Sequence, residues 1–364
     1  MDFRFALISD DEQIRQLIRE IPLEGEIKLR YQYEPSYFAV SAIQGSPNQT
    51  IVGVVNGRVM AVASWNLQKV FVKGKSCNAG YLSNVRVHPS VRSGFSLIKG
   101  LKFLEEFVKK QETDFHFATL IDSNSLTRSL FASGRSSLPK FYNQGRVFTY
   151  SIPLQKRKRN PRRDKGLNVV KASHEHKNEI IAFLKGEGAK TDFFPFIDDD
   201  CYSIEIFRQL SFYIALDNSN SIIGVCSVGD FTSFKQHVLE GFTLRFRLVV
   251  FLLSLLLKIM GAHSIPKKGQ KVLMLYAGFT VVKNHDAHVF KSLLSRVFYE
   301  YSGTGFHYIT LALHENNPFI DAMKKFTKIC YTSRLYFFNF GKNQYPLSSY
   351  MFGSQSPYID LFRL

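Results

Sequence analysis

Two stretches of this chain are copies of one another. Asp114-Phe115-His116-Phe117-Ala118-Thr119-Leu120 matches Gly305-Phe306-His307-Tyr308-Ile309-Thr310-Leu311. Each follows a helical pattern (Leu97 to Lys110; Val289 to Tyr301) and leads to an Asn-bearing turn, Asp122-Ser123-Asn124 or Glu315-Asn316-Asn317. A duplication of this kind makes the fold unit half the chain, and 364 residues suffice for two domains that each bury a core. It also lets the halves be compared position by position, so that the half keeping binding chemistry can be told from the half that lost it.

The formal net charge of +17 suits nucleic acid, an anionic membrane surface or a polyanionic cofactor. Part of the excess is concentrated in Lys156-Arg157-Lys158-Arg159-Asn160-Pro161-Arg162-Arg163-Asp164-Lys165, which has no apolar residue and reads as an exposed linker. No aromatic residue interleaves those charges, so no specific nucleic-acid partner is expected. Cys77, Cys201, Cys226 and Cys330 sit far apart without a C-x-x-C pair, which fits a reducing cytoplasm. The acidic start (Asp2, Asp10, Asp11, Glu12) lacks the apolar region of a signal peptide. The apolar run Leu248 to Leu257 falls short of the ~20 residues that cross a bilayer.

The pattern along the chain predicts an alternating strand at Phe3 to Ile8, then a helix with Ser9 as its N-cap and acidic residues in its first turn. Thr50 to Val55 and Val59 to Ser64 flank Asn56-Gly57, a strong hairpin signal. A strand ending at Val87, a turn at His88-Pro89, a helix from about Ser96, a strand at Phe115 to Ile121, a short helix at Leu126 to Phe131 and a strand at Val147 to Ile152 complete the first half. After the linker the order restarts with a strand at Val169 to Ala172, a cap at Ser173 and a helix burying Ile180, Ile181 and Leu184. A second hairpin turns at Asp217 to Asn220. The offset between copies grows from 163 at Ala61/Gly224 to 191 at Asp114/Gly305. The second half has therefore gained roughly 28 residues, assigned to 237–271, which contains the apolar run.

This order of elements resembles that of the GNAT acetyltransferase superfamily. The resemblance is closest from Gly80 through Val87-His88-Pro89-Ser90-Val91-Arg92-Ser93-Gly94-Phe95-Ser96, which is similar to that superfamily's acyl-CoA segment. Asn124-Ser125-Leu126-Thr127-Arg128-Ser129-Leu130-Phe131 is similar to its N-x-x-A-x-x-L-Y helix. The resemblance implies an α/β fold of two tandem GNAT-like domains, each a mixed central sheet flanked by helices. Residues 1–154 would form an acyl-CoA-binding domain, 155–166 a basic linker, and 167–364 a degenerate copy with the apolar insertion 237–271. It also implies an acyltransferase that moves an acetyl or longer acyl group from acetyl-CoA or another acyl-CoA to an amine, by direct attack in a ternary complex. A non-catalytic CoA- or acyl-binding protein is the alternative.

The physical basis of such a site is general. A helix N-terminus offers unsatisfied N–H groups and partial positive charge to a pyrophosphate. Gly94 permits close backbone approach, Arg92 adds a charged donor, and Ser93, Phe95 and Ser96 complete the turn. The strand edge at Val85 and Val87 can pair with the amides of a pantetheine arm, and Asn124 is a weaker cofactor or substrate contact. Phe131 stands where the superfamily often has a proton-donating Tyr, and a phenyl ring donates none. Tyr81, Asn84 and Tyr142 are the nearby polar candidates for catalysis. At offset 191, Lys283 replaces Arg92 and His285 replaces Gly94, so the second half is expected to have lost cofactor binding.

Other clusters carry less chemistry. His285 with His288, and His174 with His176, lack a third ligand at metal spacing, so no metal is expected. Asp198-Asp199-Asp200 reads as a helix cap more readily than a cation or amine site. Within the insertion, Arg245, Arg247, Lys258, Lys267, Lys268 and Lys271 bracket a greasy helix. That fits a peripheral membrane contact through 240–270, a lid over an acyl chain, or a helix buried between domains.

Overall fold

The structure, a computed structural model, describes residues 1–23, 25–135, 138–157, 167–197, 208–340 and 356–364. Residues 158–166 of the linker and the Asp198-Asp199-Asp200 cluster lie outside the described residues. The first half comprises β1 (Asp2–Phe5), α1 (Asp11–Glu20), β2 (Ile27–Gln32), α2 (Tyr37–Gln44), β3 (Asn48–Val55), β4 (Arg58–Val72), β5 (Lys75–Val87), α3 (Gly94–Val108), β6 (Phe115–Ile121), α4 (Ser125–Ala132) and β7 (Phe141–Pro153). The second comprises β8 (Asn168–Lys171), α5 (Lys177–Phe183), β9 (Leu210–Leu216), β10 (Ile222–Asp230), β11 (Gln236–Phe242), α6 (Leu244–Ile259), β12 (Met274–Val282), α7 (Ala287–Tyr301), β13 (Tyr308–His314), α8 (Ile320–Met323) and β14 (Ile329–Phe338).

Local chemistry sets these boundaries. Asn56 and Gly57 take positive φ (50° and 74°) at the β3–β4 turn, where one residue tolerates the left-handed region and the other has no Cβ to clash. Asp10, not Ser9, occupies the N-cap position of α1, with no side-chain hydrogen bond to the helix amides. The Asp10 carboxylate accepts the Leu7 N–H at 2.7 Å and is clamped by Arg4 at 2.6 and 2.8 Å. Helix α3 begins at Gly94, two residues before the expected Ser96, because Ser93 caps it.

Side-chain alternation along the strands builds three layers. Ile51 and Trp65 face Leu101, Leu104 and Val108 of α3, whereas Val52 and Val62 face Ile14 and Leu17 of α1 and Tyr37 of α2. The second half repeats this. Tyr213 and Ala215 meet Phe290, Leu293 and Leu294 of α7, while Phe212 and Ile214 meet Ile180 and Ile181 of α5.

The halves are joined by an exchange of strands. The described strands form one twelve-stranded sheet in the order β1-β3-β4-β5-β6-β14-β7-β13-β12-β10-β9-β8. The last strand of each half thus lies against the other half: β14 on β6, and β7 on β13. Matching ion pairs lock both crossings. Arg334 of β14 reaches Asp122 at the end of β6 (2.6 Å), and Arg146 of β7 reaches Glu315 at the end of β13 (2.7 Å).

Two sequence expectations shift. Helices α3 and α7, and strands β6 and β13, start 193 residues apart rather than 191, at Gly94/Ala287 and Phe115/Tyr308. A two-residue slip keeps every strand side chain on its own face, so the repeat of motifs alone was blind to it. The structural counterpart of Gly94 is therefore Ala287, and that of Arg92 is His285. The insertion, read in the sequence as an apolar helix, also supplies β11, which pairs with β2 of the first half in a separate two-stranded ribbon (Leu239↔Leu29, His237↔Tyr31).

Because the sheet is continuous, the halves should unfold together. Trp65, the single tryptophan, lies in the first-half core, whereas Leu293 is buried under the second-half sheet. Leu293→Ala should cost about 2–5 kcal/mol and lower the denaturant midpoint read by Trp65 fluorescence as much as that read by circular dichroism. A Trp65 midpoint that stays at the wild-type value would show the halves to be independent.

Candidate active site

The parallel pair β5–β6 is hydrogen-bonded over only three positions, Ala79↔Phe115, Gly80↔His116 and Tyr81↔Phe117. Beyond these, β5 continues along β4 and β6 continues along β14, so the strands part into a groove. The cause on the β5 side is a bulge: Asn84 and Val85 drop out of register between Ser83↔Ser64 and Arg86↔Val62. Asn84 has φ +53°, a left-handed value that Asn tolerates better than most residues.

The outer end of the groove is the turn into α3. There Ser93 Oγ accepts the Ser96 N–H at 3.2 Å, and Ser96 Oγ donates to the Val91 carbonyl at 2.8 Å. The exposed Arg92 guanidinium donates to the Val87 carbonyl at 3.3 Å. First-turn amides have no partner inside their own helix, so those of Gly94 and Phe95 are available to an anion. The expected pyrophosphate residues thus converge, with Val85 and Val87 on the adjoining strand. Asn124 serves another purpose: its Oδ1 accepts the Thr127 N–H at 3.2 Å and caps α4.

Of the candidate catalytic groups, Tyr81 and Asn84 flank the groove. The Tyr81 ring stacks on Phe117 at 4.7 Å, and its hydroxyl sits 3.4 Å from Thr119 Oγ1 across the parting strands. Burial pushes that hydroxyl up to about 12, so it is a neutral donor. Asn84 Oδ1 accepts from the Tyr33 hydroxyl at 2.9 Å. Tyr142 is remote. It lies in the row Tyr81↔Phe117↔Phe337↔Tyr142, three strands from Tyr81 and so about 14 Å away at the usual spacing. Phe131 stacks flat on Phe141, filling its position with an apolar pair.

Sequence reasoning missed the groups on the second-half side of the groove. The β2–β11 ribbon sets Tyr31 edge-on to His237 (4.6 Å), and the Tyr276 hydroxyl is 3.4 Å from the His237 ring nitrogens. Lys235 Nζ donates to the Leu364 carbonyl at 3.1 Å and lies 5.7 Å from the Tyr31 ring centre. Burial draws Lys235 down to about 8 and His237 down to about 3, the latter with help from the Lys235 charge. A continuous wall therefore runs from Asn84 through Tyr33 and Tyr31 to His237 and Tyr276. The only signal in the sequence was the aromatic alternation Tyr31-x-Tyr33; nothing local pointed to its partner strand.

The second half has the same parting of strands and has closed it. Strands β12 and β13 pair over three positions, Met274↔Tyr308 to Tyr276↔Thr310, and Phe279 takes φ +43° in the matching bulge. Here the C-terminal segment fills the space. The Tyr358 hydroxyl accepts the Thr280 N–H at 3.2 Å and donates to Asp360 at 3.2 Å, and a Cβ on Gly278 would strike Phe362 and Asp360. The helix mouth is shut as well. The Asp286 carboxylate accepts the His288 and Val289 N–H groups of α7 at 2.7 and 3.3 Å, which puts an anion where a phosphate would bind. The turn is shorter too, Lys283 to Asp286 against His88 to Ser93. The loss of the glycine is thus one of four changes. Among the described residues no cluster of three or more His, Cys, Asp or Glu side chains could hold a metal.

Asp360 gives this plug a pH signature. Burial, opposed by the nearby Arg363 charge, raises its carboxyl from 3.8 to about 7. The neutral acid is the form that favours folding, so its contribution is complete below about pH 4 and fades as pH rises through about 7. Asp360→Asn mimics that neutral form. The Tm difference, variant minus wild type, should rise by the equivalent of about 2 kcal/mol between about pH 5 and about pH 8. An equal difference at both pH values would contradict this account.

No protein-family model matches the sequence, and no curated protein matches it. Solved structures do. An N-myristoyltransferase of Saccharomyces cerevisiae with bound myristoyl-CoA superposes with TM-score 0.62 at 12% identity, over 94% of this chain and 79% of that one. A second structure of that enzyme with myristoyl-CoA gives TM-score 0.58 at 13% identity, over 94% and 83%. A third, with myristoyl-CoA and inhibitors, gives 0.60 at 12%, over 94% and 81%. At such identities the likeness is one of fold, and it spans both halves. Those N-myristoyltransferases belong to the GNAT superfamily with two tandem GNAT-like domains, and this chain shares their fold.

Proposed function

We propose that the chain is an acyl-CoA-dependent N-acyltransferase. Residues 1–154 hold the acyl-CoA, and residues 167–364 together with the β2–β11 ribbon receive an amine. The observation that carries this reading is the asymmetry between the two helix mouths beside the partings: the one after β5 has a neutral serine cap, whereas its twin after β12 carries the Asp286 carboxylate beside an opening filled by Tyr358 and Asp360. The solved neighbours with myristoyl-CoA support an acyl-CoA as donor.

In this reading the pantetheine amides pair with the β5 edge at Val85 and Val87, and the pyrophosphate meets the Gly94 and Phe95 amides and Arg92. The bulge at Asn84 aims a backbone amide at the thioester oxygen, where charge develops during attack. The amine nitrogen bonds to the thioester carbon and gives up one proton, the carbon–sulfur bond breaks, and the departing thiolate takes up a proton in exchange. The acceptor must arrive or become neutral. The surroundings that draw Lys235 down to about 8 would depress the pKa of an entering ammonium in the same way. The acyl group is acetyl or longer.

A second reading, a binding protein without turnover, is favoured by one feature: Phe131 is locked against Phe141 where a proton donor is usual. Two measurements separate the readings. CoA should raise Tm, by the equivalent of about 2.7 kcal/mol at a hundredfold excess over Kd, and Gly94→Glu should abolish the rise because its carboxylate would repel the phosphates. Thiol release from an acyl-CoA series of increasing chain length, with peptide and small-molecule amines, then tests transfer. Stabilisation without thiol release in every pairing would establish the binding protein, and stabilisation that survives Gly94→Glu would refute the site.

A further inference from the structure

Helix α6 is apolar on two opposite sides. Phe246, Val250, Leu253 and Leu257 turn toward the protein, and Leu257 is buried. Leu244, Leu248, Phe251, Leu252, Leu255 and Ile259 form a stripe on the other side, each between 52% and 80% exposed. A surface helix of a water-soluble domain carries polar residues there. In α6 the one uncharged polar side chain, Ser254, is turned back onto the Val250 carbonyl at 2.7 Å.

The charge around this stripe has a single sign. From Gly241 to His285 the sequence contains no Asp or Glu. At 3.6 residues per turn, Arg245 falls on one flank of the stripe and Arg247 and Lys258 on the other; all three are exposed. Exposed Lys156 and Arg157 join them at the C-terminal end of the helix, where the Lys156 N–H donates to the Gly261 carbonyl at 2.9 Å. Lys267, Lys268 and Lys271 are exposed on the loop that follows.

We propose that α6 is a docking helix for an anionic phospholipid bilayer. It lies in the plane of the interface, with the Leu248–Phe251–Leu255 stripe among the acyl chains and its arginines and lysines among the headgroup phosphates. The geometry argues against the other occupants. Sixteen residues at ~1.5 Å each are too short to span a bilayer, and no described helix is long and apolar enough to cross one. A second copy seated on the stripe would bring two cationic flanks together with no acid in the segment to neutralise them. A lid over an acyl chain would turn its apolar side to the protein, whereas this stripe faces out. An anionic bilayer satisfies both features at once: it removes the apolar stripe from water and neutralises the rim.

The proposal does not depend on the acyl-transfer reading, because vesicle binding needs no CoA. The full chain should float with phosphatidylcholine vesicles that contain phosphatidylserine, about tenfold or more above its recovery with phosphatidylcholine alone, and raised salt should weaken that binding. The triple variant Leu248→Glu, Phe251→Glu, Leu255→Glu should lose about tenfold or more of the recovery while retaining the wild-type thermal transition. Should that variant misfold, Phe251→Trp gives an independent readout, a blue-shifted emission on serine-containing vesicles against the buried Trp65 background. The proposal is overturned if the wild-type chain stays in the aqueous fraction with both vesicle types. It is equally overturned if the stripe instead supports a concentration-dependent dimer that the triple variant makes monomeric.

Discussion

Where two parallel strands part, the backbone amides along the opening lose the partners that a sheet would give them, and a folded chain must supply others. That requirement arises twice here, because the duplication places one parting between β5 and β6 and another between β12 and β13. The second is met internally, by the Tyr358 hydroxyl on the Thr280 amide and by Asp286 on the mouth of α7. Among the described residues the first is met at its mouth by Ser93, a neutral cap on a single amide. Two copies of one fold thus differ in how far the described residues answer that demand.

Much of the groove was legible in advance. The Asn56-Gly57 turn, the strand ending at Val87 and the helix after Ser93 all arise from residues adjacent in sequence, where capping and turn chemistry act. The closure of the second groove was legible only in part. Replacement of the glycine was visible at a misaligned position, because the motifs repeat at 191 while the elements repeat at 193. Period-two patterning does not register an even slip. Asp286 could have been read as a cap, but the stopper of Tyr358, Asp360 and Phe362 comes from the far end of the chain, and nothing near β12 announces it.

The exchange of β7 and β14 was hidden for a related reason. Strand pairing depends on which edges meet in space, and both strands carry the same alternating pattern whichever sheet they join. Its traces are charged and sparse: Asp122 with Arg334, and Glu315 with Arg146, two equivalent carboxylates each held by an arginine of the other half. The exchange also has consequences for the groove. Beyond Tyr81, β6 is held open by β14, a second-half strand, so the width of a first-half opening is set by second-half residues.

The insertion completes that argument. Its strand β11 pairs with β2 and carries His237 against Tyr31, which makes it part of the wall facing the groove. Its helix α6 follows within two residues and presents an apolar stripe to the outside. The Thr243 N–H, at the junction, donates to the Glu26 carbonyl at 3.0 Å, tying the start of the helix to the strand that forms the wall. Whatever α6 touches is therefore mechanically continuous with the Tyr31–Tyr33–Asn84 side of the groove. One inserted segment, absent from the first copy, joins the Tyr31–Tyr33–Asn84 side of the groove to the outer surface. On the proposed reading, a donor or acceptor held at an interface would reach the groove along that side.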